Sequence, residues 1–135
     1  MEKIYSLIEP GVLLHAICRK EDISLRREDF ASPNEFLQVA ALILKKGEEV
    51  KAHKHLDNSR TTSITQESIV VIEGAIEANF YDLNNSLIKT IILNEGDCCV
   101  TFRGGHFFKA LEENTKFYEI KNGPYEGREK DKVGI

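Results

Sequence analysis

Ile69-Val70-Val71-Ile72-Glu73-Gly74-Ala75-Ile76-Glu77-Ala78-Asn79-Phe80-Tyr81-Asp82-Leu83-Asn84-Asn85 is the stretch that decides the fold class. Its four leading apolar residues form the short unbroken run expected of a strand covered on both faces. A second strand follows Gly74 over 75–81, and Asp82-Leu83-Asn84-Asn85 is a hairpin turn that sends 87–93 back alongside it.

Working outward, the same rhythm continues. Asn94-Glu95-Gly96-Asp97 turns into a strand over 98–102, Arg103-Gly104-Gly105 turns into 106–111, and Glu112-Glu113-Asn114 precedes 117–121. Upstream, 12–17 and 36–44 are apolar runs, and the second stops at Lys45-Lys46-Gly47-Glu48-Glu49. Residues 50–56 read as a strand, broken by Asp57-Asn58-Ser59-Arg60 before 61–66 leads into the opening stretch. The segment 25–34 is charged and contains the loop Ser32-Pro33-Asn34; a helix over 20–29 lacks a clean apolar stripe. Eight or more short strands in one chain predict an all-β barrel or sandwich. One domain over 1–135 is expected, with its core at 36–121, N-terminal strands before it and a charged tail from Gly123 lying on the surface or against a partner.

The composition fits that picture. With 41% hydrophobic and 30% charged residues the 135-residue chain has a globular balance, and its net charge of -4 argues against a nucleic-acid partner held by phosphate contacts. No apolar run reaches the roughly 20 residues a membrane helix needs. The start, Met1-Glu2-Lys3-Ile4-Tyr5, has no signal-peptide pattern, so a cytoplasmic location is expected. Cys18, Cys98 and Cys99 read as free thiols with structural roles.

Chemistry concentrates in the histidines. On a strand, His53 and His55 share a face, with Lys51 beside them near the strand entrance. Imidazole nitrogens so placed can reach one metal ion. Glu67 and His106 follow in glycine-punctuated contexts, whereas Gln66 points to the face opposite Glu67. His15 has no partner in the sequence and reads as a satisfied or surface histidine. Arg60 and Arg103 lie in loops near the expected cavity mouth, where a guanidinium can clamp a carboxylate or phosphate; as plain loop arginines they would be solvated.

Gly47, His53, His55, Glu67 and Gly74, followed by Gly96 and Phe102-Arg103-Gly104-Gly105-His106, together form a pattern that resembles the two motifs of the cupin superfamily. The resemblance covers roughly 36–120. It implies a double-stranded β-helix, or jelly-roll barrel, with a metal bound inside it by His53, His55, His106 and Glu67. Eleven residues separate His55 from Glu67, where the family usually has three or four, and Phe102 stands where its second motif has proline. Glu67 is expected either as a ligand or as a carboxylate that bonds a ligand histidine or serves as the catalytic base. Tyr118-Glu119-Ile120-Lys121 and Gly123-Pro124-Tyr125-Glu126-Gly127 are similar to small bacterial cupins that accompany surface-polysaccharide or nucleotide-sugar genes.

The resemblance thus implies a protein that binds a divalent transition metal (Zn, Fe, Ni or Mn) and acts on a small polar molecule such as a sugar or oxo-acid. The reaction could be an isomerisation, an epimerisation or an oxygenation. Lys51, Arg60 and Arg103 are the candidate substrate contacts, and Ile69, Val71 and Phe108 the expected dry cavity wall. Two alternatives stand beside this reading: a non-catalytic sugar- or metal-binding sensor, and a metal-free sugar epimerase or isomerase. The apolar runs 12–17 and 36–44 exceed what one small barrel buries, so a homodimer formed by strand exchange or edge pairing is expected.

Overall fold

The computed structural model describes residues 1–135. It contains ten strands: β1 (Glu2–Tyr5), β2 (Leu13–Cys18), β3 (Arg27–Asp29), β4 (Ala40–Leu42), β5 (Glu67–Glu73), β6 (Ala75–Tyr81), β7 (Leu87–Asn94), β8 (Cys98–Thr101), β9 (His106–Ala110) and β10 (Lys116–Lys121). The only α-helix is one turn, α1 (Arg128–Asp131), and no helix is long and apolar enough to cross a membrane. Every pairing is antiparallel. The strands build a five-stranded sheet ordered β1-β2-β8-β5-β10, a three-stranded sheet ordered β7-β6-β9, and the two-stranded ribbon β3-β4.

Side-chain alternation explains how these layers stack. On β5, Ile69 and Val71 point to one face, and on β2 and β8 Ile17 and Cys99 join them. They meet Ile76, Ala78 and Phe80 of β6 and Leu93 of β7 from the smaller sheet, all nine-tenths or more buried. The opposite face of the large sheet carries Ala16, Cys18 and Val100, which pack with Phe102 beneath Phe30 and Ala41 of the ribbon region. The large sheet is therefore covered on both faces, which is why β2 and β8 read as continuous apolar runs rather than alternating ones. Each fully buried Phe, Ile or Leu contributes about 1.5–3 kcal/mol of transfer free energy.

The turn between β5 and β6 depends on Gly74, at φ +80°, where a Cβ would sit 2.6 Å from the Thr115 hydroxyl oxygen. Buried Asp97 ties the β7–β8 turn to the segment after β2. It accepts from the Arg19 guanidinium at 2.8 Å and from the backbone N–H groups of Lys20 and Asn94. Burial alone would raise its pKa, but these donors bring it below the usual carboxylate range.

Three sequence expectations need correction. Residues 50–56 do not form a strand. Across 43–65 the only backbone–backbone hydrogen bond is from Glu48 N–H to the Lys45 carbonyl, and Val50 and Leu56 stay 55% and 85% exposed. Alternation marks a segment able to be a strand, but a strand exists only when a neighbour bonds its backbone, and here none does. In the run 36–44 only β4 is regular, and in 20–29 a 3-10 turn (Lys20–Asp22) and β3 replace the possible helix. The core also extends beyond 36–121, since β1 and β2 belong to the large sheet and Ile4 and Ile17 are buried in it.

Candidate functional site

Antiparallel register places His15, Thr101, Glu67 and Lys121 in one row across β2, β8, β5 and β10. Directly opposed residues share a face, so this row lies on the inner side of the large sheet, at one end of the apolar core. In the facing sheet His106 is paired with Phe80 at the same end. The two sheets thereby bring Glu67 and His106 together across the interlayer gap, with Oε1 and Nε2 3.1 Å apart.

That contact borders a cavity of about 420 Å³ lined by Glu67, His106, Thr101, Arg103, Gly104 and Gly105, and by Asp131, Lys132, Val133 and Ile135 of the C-terminal tail. The His106 hydrogen bond holds the Glu67 carboxyl below the usual range, overcoming the opposing effect of burial, with Lys132 and Lys121 adding to it. Glu67 is thus a carboxylate at neutral pH, and the bond requires a proton on His106 Nε2. In neutral His106 the other ring nitrogen, Nδ1, is then the unprotonated one; it is buried and has no hydrogen-bond partner. The His106 ring stacks on Phe108, with centroids 5.0 Å apart.

His15 lies under the same end of the sandwich. It is fully buried, with Nδ1 3.1 Å from the Thr101 hydroxyl and Nε2 3.2 Å from the Tyr81 carbonyl. Because a carbonyl can only accept, Nε2 carries the proton and Thr101 donates to Nδ1. Burial pushes the His15 pKa down to about 4, with nearby His106 working in the same direction. Of the two sequence readings, the satisfied histidine is the one observed.

The Arg103–Gly104–Gly105 turn closes over this row. Gly104 has φ +77°, and a Cβ there would lie 2.3 Å from the Tyr81 carbonyl oxygen, so glycine is required by both conformation and space. Arg103 lines the cavity, and its Nη1 donates to Glu35 at 2.9 Å. Glu35 also accepts from the buried Gln66 amide at 2.6 Å, which makes the arginine a braced wall rather than a free clamp.

The other sequence candidates lie elsewhere. Lys51, His53, His55 and Arg60 are all exposed on the irregular segment 43–65, and none lines the cavity. His53 and His55 are near each other, with ring centroids 5.4 Å apart, but His53 Nδ1 is 2.8 Å from the Lys51 carbonyl. No three His, Cys, Asp or Glu side chains converge closely enough to hold a metal, so within the folded chain Glu67 and His106 supply two donors and the histidine pair stands apart. Ile69 and Val71 belong to the apolar core beneath the site rather than to the cavity wall. The three cysteines are free, and burial raises the Cys99 thiol far above its ordinary pKa.

Sequence reasoning missed the C-terminal tail. Asp131 accepts from Lys121 Nζ and the Thr65 hydroxyl, both at 2.8 Å, and these bonds draw its carboxyl below the usual range. This anchor lays Lys132, Val133 and Ile135 along the cavity. The only signal for it was the apolar pair within an otherwise charged tail. No family model, curated protein or solved structure matches the chain.

Proposed function

We propose that this chain is a jelly-roll protein of the cupin type that binds a small polar molecule, a sugar or an oxo-acid, in the cavity over Glu67 and His106. We infer further that it moves a proton on that molecule, as a metal-free isomerase or epimerase does. The observation that carries this reading is the 3.1 Å contact between Glu67 and His106 from opposite sheets at a cavity of about 420 Å³. That volume lies within the range of small-molecule sites.

An isomerisation next to a carbonyl needs a base near the C–H bond and a donor near the oxygen. Glu67 is ionised and bonded by one protein group, which leaves its second oxygen for the substrate proton. His106 Nε2–H orients that carboxylate, and Lys132 and Arg103 supply positive charge for an oxyanion. Thr101 is already committed to His15, so its place is in the floor rather than in proton transfer.

A metal-bound form is the second reading. The 3.1 Å spacing of Nε2 and Oε1 also suits adjacent ligands on one ion with bonds of about 2.0–2.2 Å. In the single chain the histidine pair does not complete such a site, so no step is assigned to a metal.

The test is ligand-observed NMR with a panel of aldoses, ketoses and 2-oxo-acids in D2O, on the wild type and Glu67→Gln. The expected result is binding of one class, with deuterium entering the carbon next to its carbonyl about 10²–10⁴-fold more slowly in Glu67→Gln. Binding without deuterium incorporation in the wild type would leave a binding protein and refute the enzyme. Absence of binding across the panel would refute the cavity's role. Elemental analysis of the same samples for Zn, Fe, Ni and Mn decides the second reading.

A further inference from the structure

The sandwich is finished on one side and unfinished on the other. Where β1 and β7 form its border, Glu2 pairs with Lys89 and buried Ile4 packs near Ile88 and Ile91. Where β9 and β10 form the border, each strand bonds one neighbour only, β6 and β5 respectively. Phe117, opposite Val71, shares its inward face, yet it is 42% exposed while Val71 is 1% exposed. An inward-facing aromatic left in solvent beside two bare strand edges marks a place built to receive further strands.

The chain carries the matching pieces and does not use them on itself. Between β4 and β5 lie 43–66, almost wholly without backbone pairing, and Ile43, Leu44, Val50 and Leu56 on this arm are all exposed. Residues 50–56 alternate, with Lys51, His53 and His55 on one face and Val50, Ala52 and Leu56 on the other. The arm is pinned at its base, where the Asn122 side chain bonds the Ile64 carbonyl and the Gln66 N–H. Beyond that base it stands free, and some twenty extended residues reach about 70 Å, enough to cross to a neighbouring molecule.

We propose that two copies of this chain exchange these arms, each adding residues 50–56 to the open edge of the other's β9 and residues 42–44 to the open edge of its β10. A second copy is the occupant the observations favour. The unpaired arm and the unpaired edges occur together in one chain, so a two-fold dimer satisfies both sets at once with the same contacts repeated. Every arm also presents apolar side chains that the edge residues Phe107, Phe117 and Ile120, themselves 42–49% exposed, can cover. Pairing on β9, the strand that carries His106, brings His53 and His55 of one copy to the cavity rim of the other. This consequence for the site rests on the function proposed above, whereas the exchange itself does not.

The test uses the full chain. Light scattering after size exclusion at 10–100 µM protein (about the range of ordinary purified stocks) is expected to give twice the chain mass of 15.3 kDa. Two differently tagged chains, one bearing Val50→Cys and the other Phe107→Cys, are then co-expressed and treated with a short bismaleimide. A cross-linked species containing both tags, absent from each single-variant control, supports the exchange. A monomer overturns it. So does a dimer in which the double variant cross-links only within its own chain, or one in which no cross-link between arm and β9 forms. Hydrogen exchange on the unsubstituted protein guards against a misfolded variant: amides of 50–56 are expected to be protected in the dimer and to lose protection on dilution to monomer, and fast exchange at all concentrations overturns the proposal. Neither readout involves a ligand, so failure of the function and failure of the exchange remain distinguishable.

Discussion

Acidification from pH 7.5 to 5 is expected to destabilise the fold mainly through His15. Its pKa falls from 6.5 in the unfolded chain to about 4 in the folded protein, because burial against Phe80, 4.7 Å away by ring centroid, penalises the imidazolium. A depressed histidine pKa means that the unfolded chain takes up the proton first. Stability is therefore fully present above pH 6.5, declines as pH falls, and stops declining below about pH 4. At pH 5 the loss works out to about 2 kcal/mol, and the whole shift is worth about 3 kcal/mol. With a urea m-value of about 1.5 kcal/mol/M, the midpoint should drop by about 1.3 M between pH 7.5 and 5. The assay is urea unfolding followed by far-ultraviolet circular dichroism on the wild type and His15→Gln. Glu67, Asp97 and Asp131 have lowered pKa values, so their contributions are lost only at more acid pH, leaving the window from 6.5 to 4.5 to histidine. The reasoning fails if the two proteins show the same slope in that window. A direct NMR titration of His15 in the wild type decides the matter should the variant fold poorly, and a value near 6.5 would be equally damaging.

Two further substitutions probe the scaffold of the site. Phe80→Ala empties a fully buried ring between His15 and the apolar core, and should cost about 3–5 kcal/mol in urea unfolding at pH 7; a loss below 1 kcal/mol would mean that this core repacks freely. Gly104→Ala forces a Cβ against the Tyr81 carbonyl at a positive φ, so a loss of about 1–3 kcal/mol is expected. Because the Tyr81 carbonyl also bonds His15, the same variant should shift the His15 ring signals in NMR spectra, and unchanged signals would show that the turn and the buried histidine are independent.

Much of the fold was readable because the signals were local. The hairpin of β6 and β7 follows from Asp82-Leu83-Asn84-Asn85 between two apolar runs, and the turns at Gly74, Gly96 and Gly104 all adopt positive φ. Glu67 and His106 were legible as site residues because each sits at the start of a strand whose next inward positions are apolar: Ile69 and Val71 after one, Phe108 after the other. The reading of 50–56 shows the limit of such signals. Its alternation is real, but pairing belongs to the neighbour as much as to the segment. His15 was undervalued for the same reason, since its partners Thr101 and Tyr81 lie 86 and 66 residues away.

The sequence by itself determined the strand-and-turn rhythm, the antiparallel all-β class and the chemistry available, because each depends on residues near one another along the chain. Only the tertiary structure decided which of those groups meet. Strand order put His15, Thr101 and Glu67 in one row, sheet packing set His106 against Glu67, and the Asp131 anchor drew the tail over the cavity. It also left His53 and His55 outside, because proximity in the chain could place those two beside each other but could not supply the strand edge that would carry them inward.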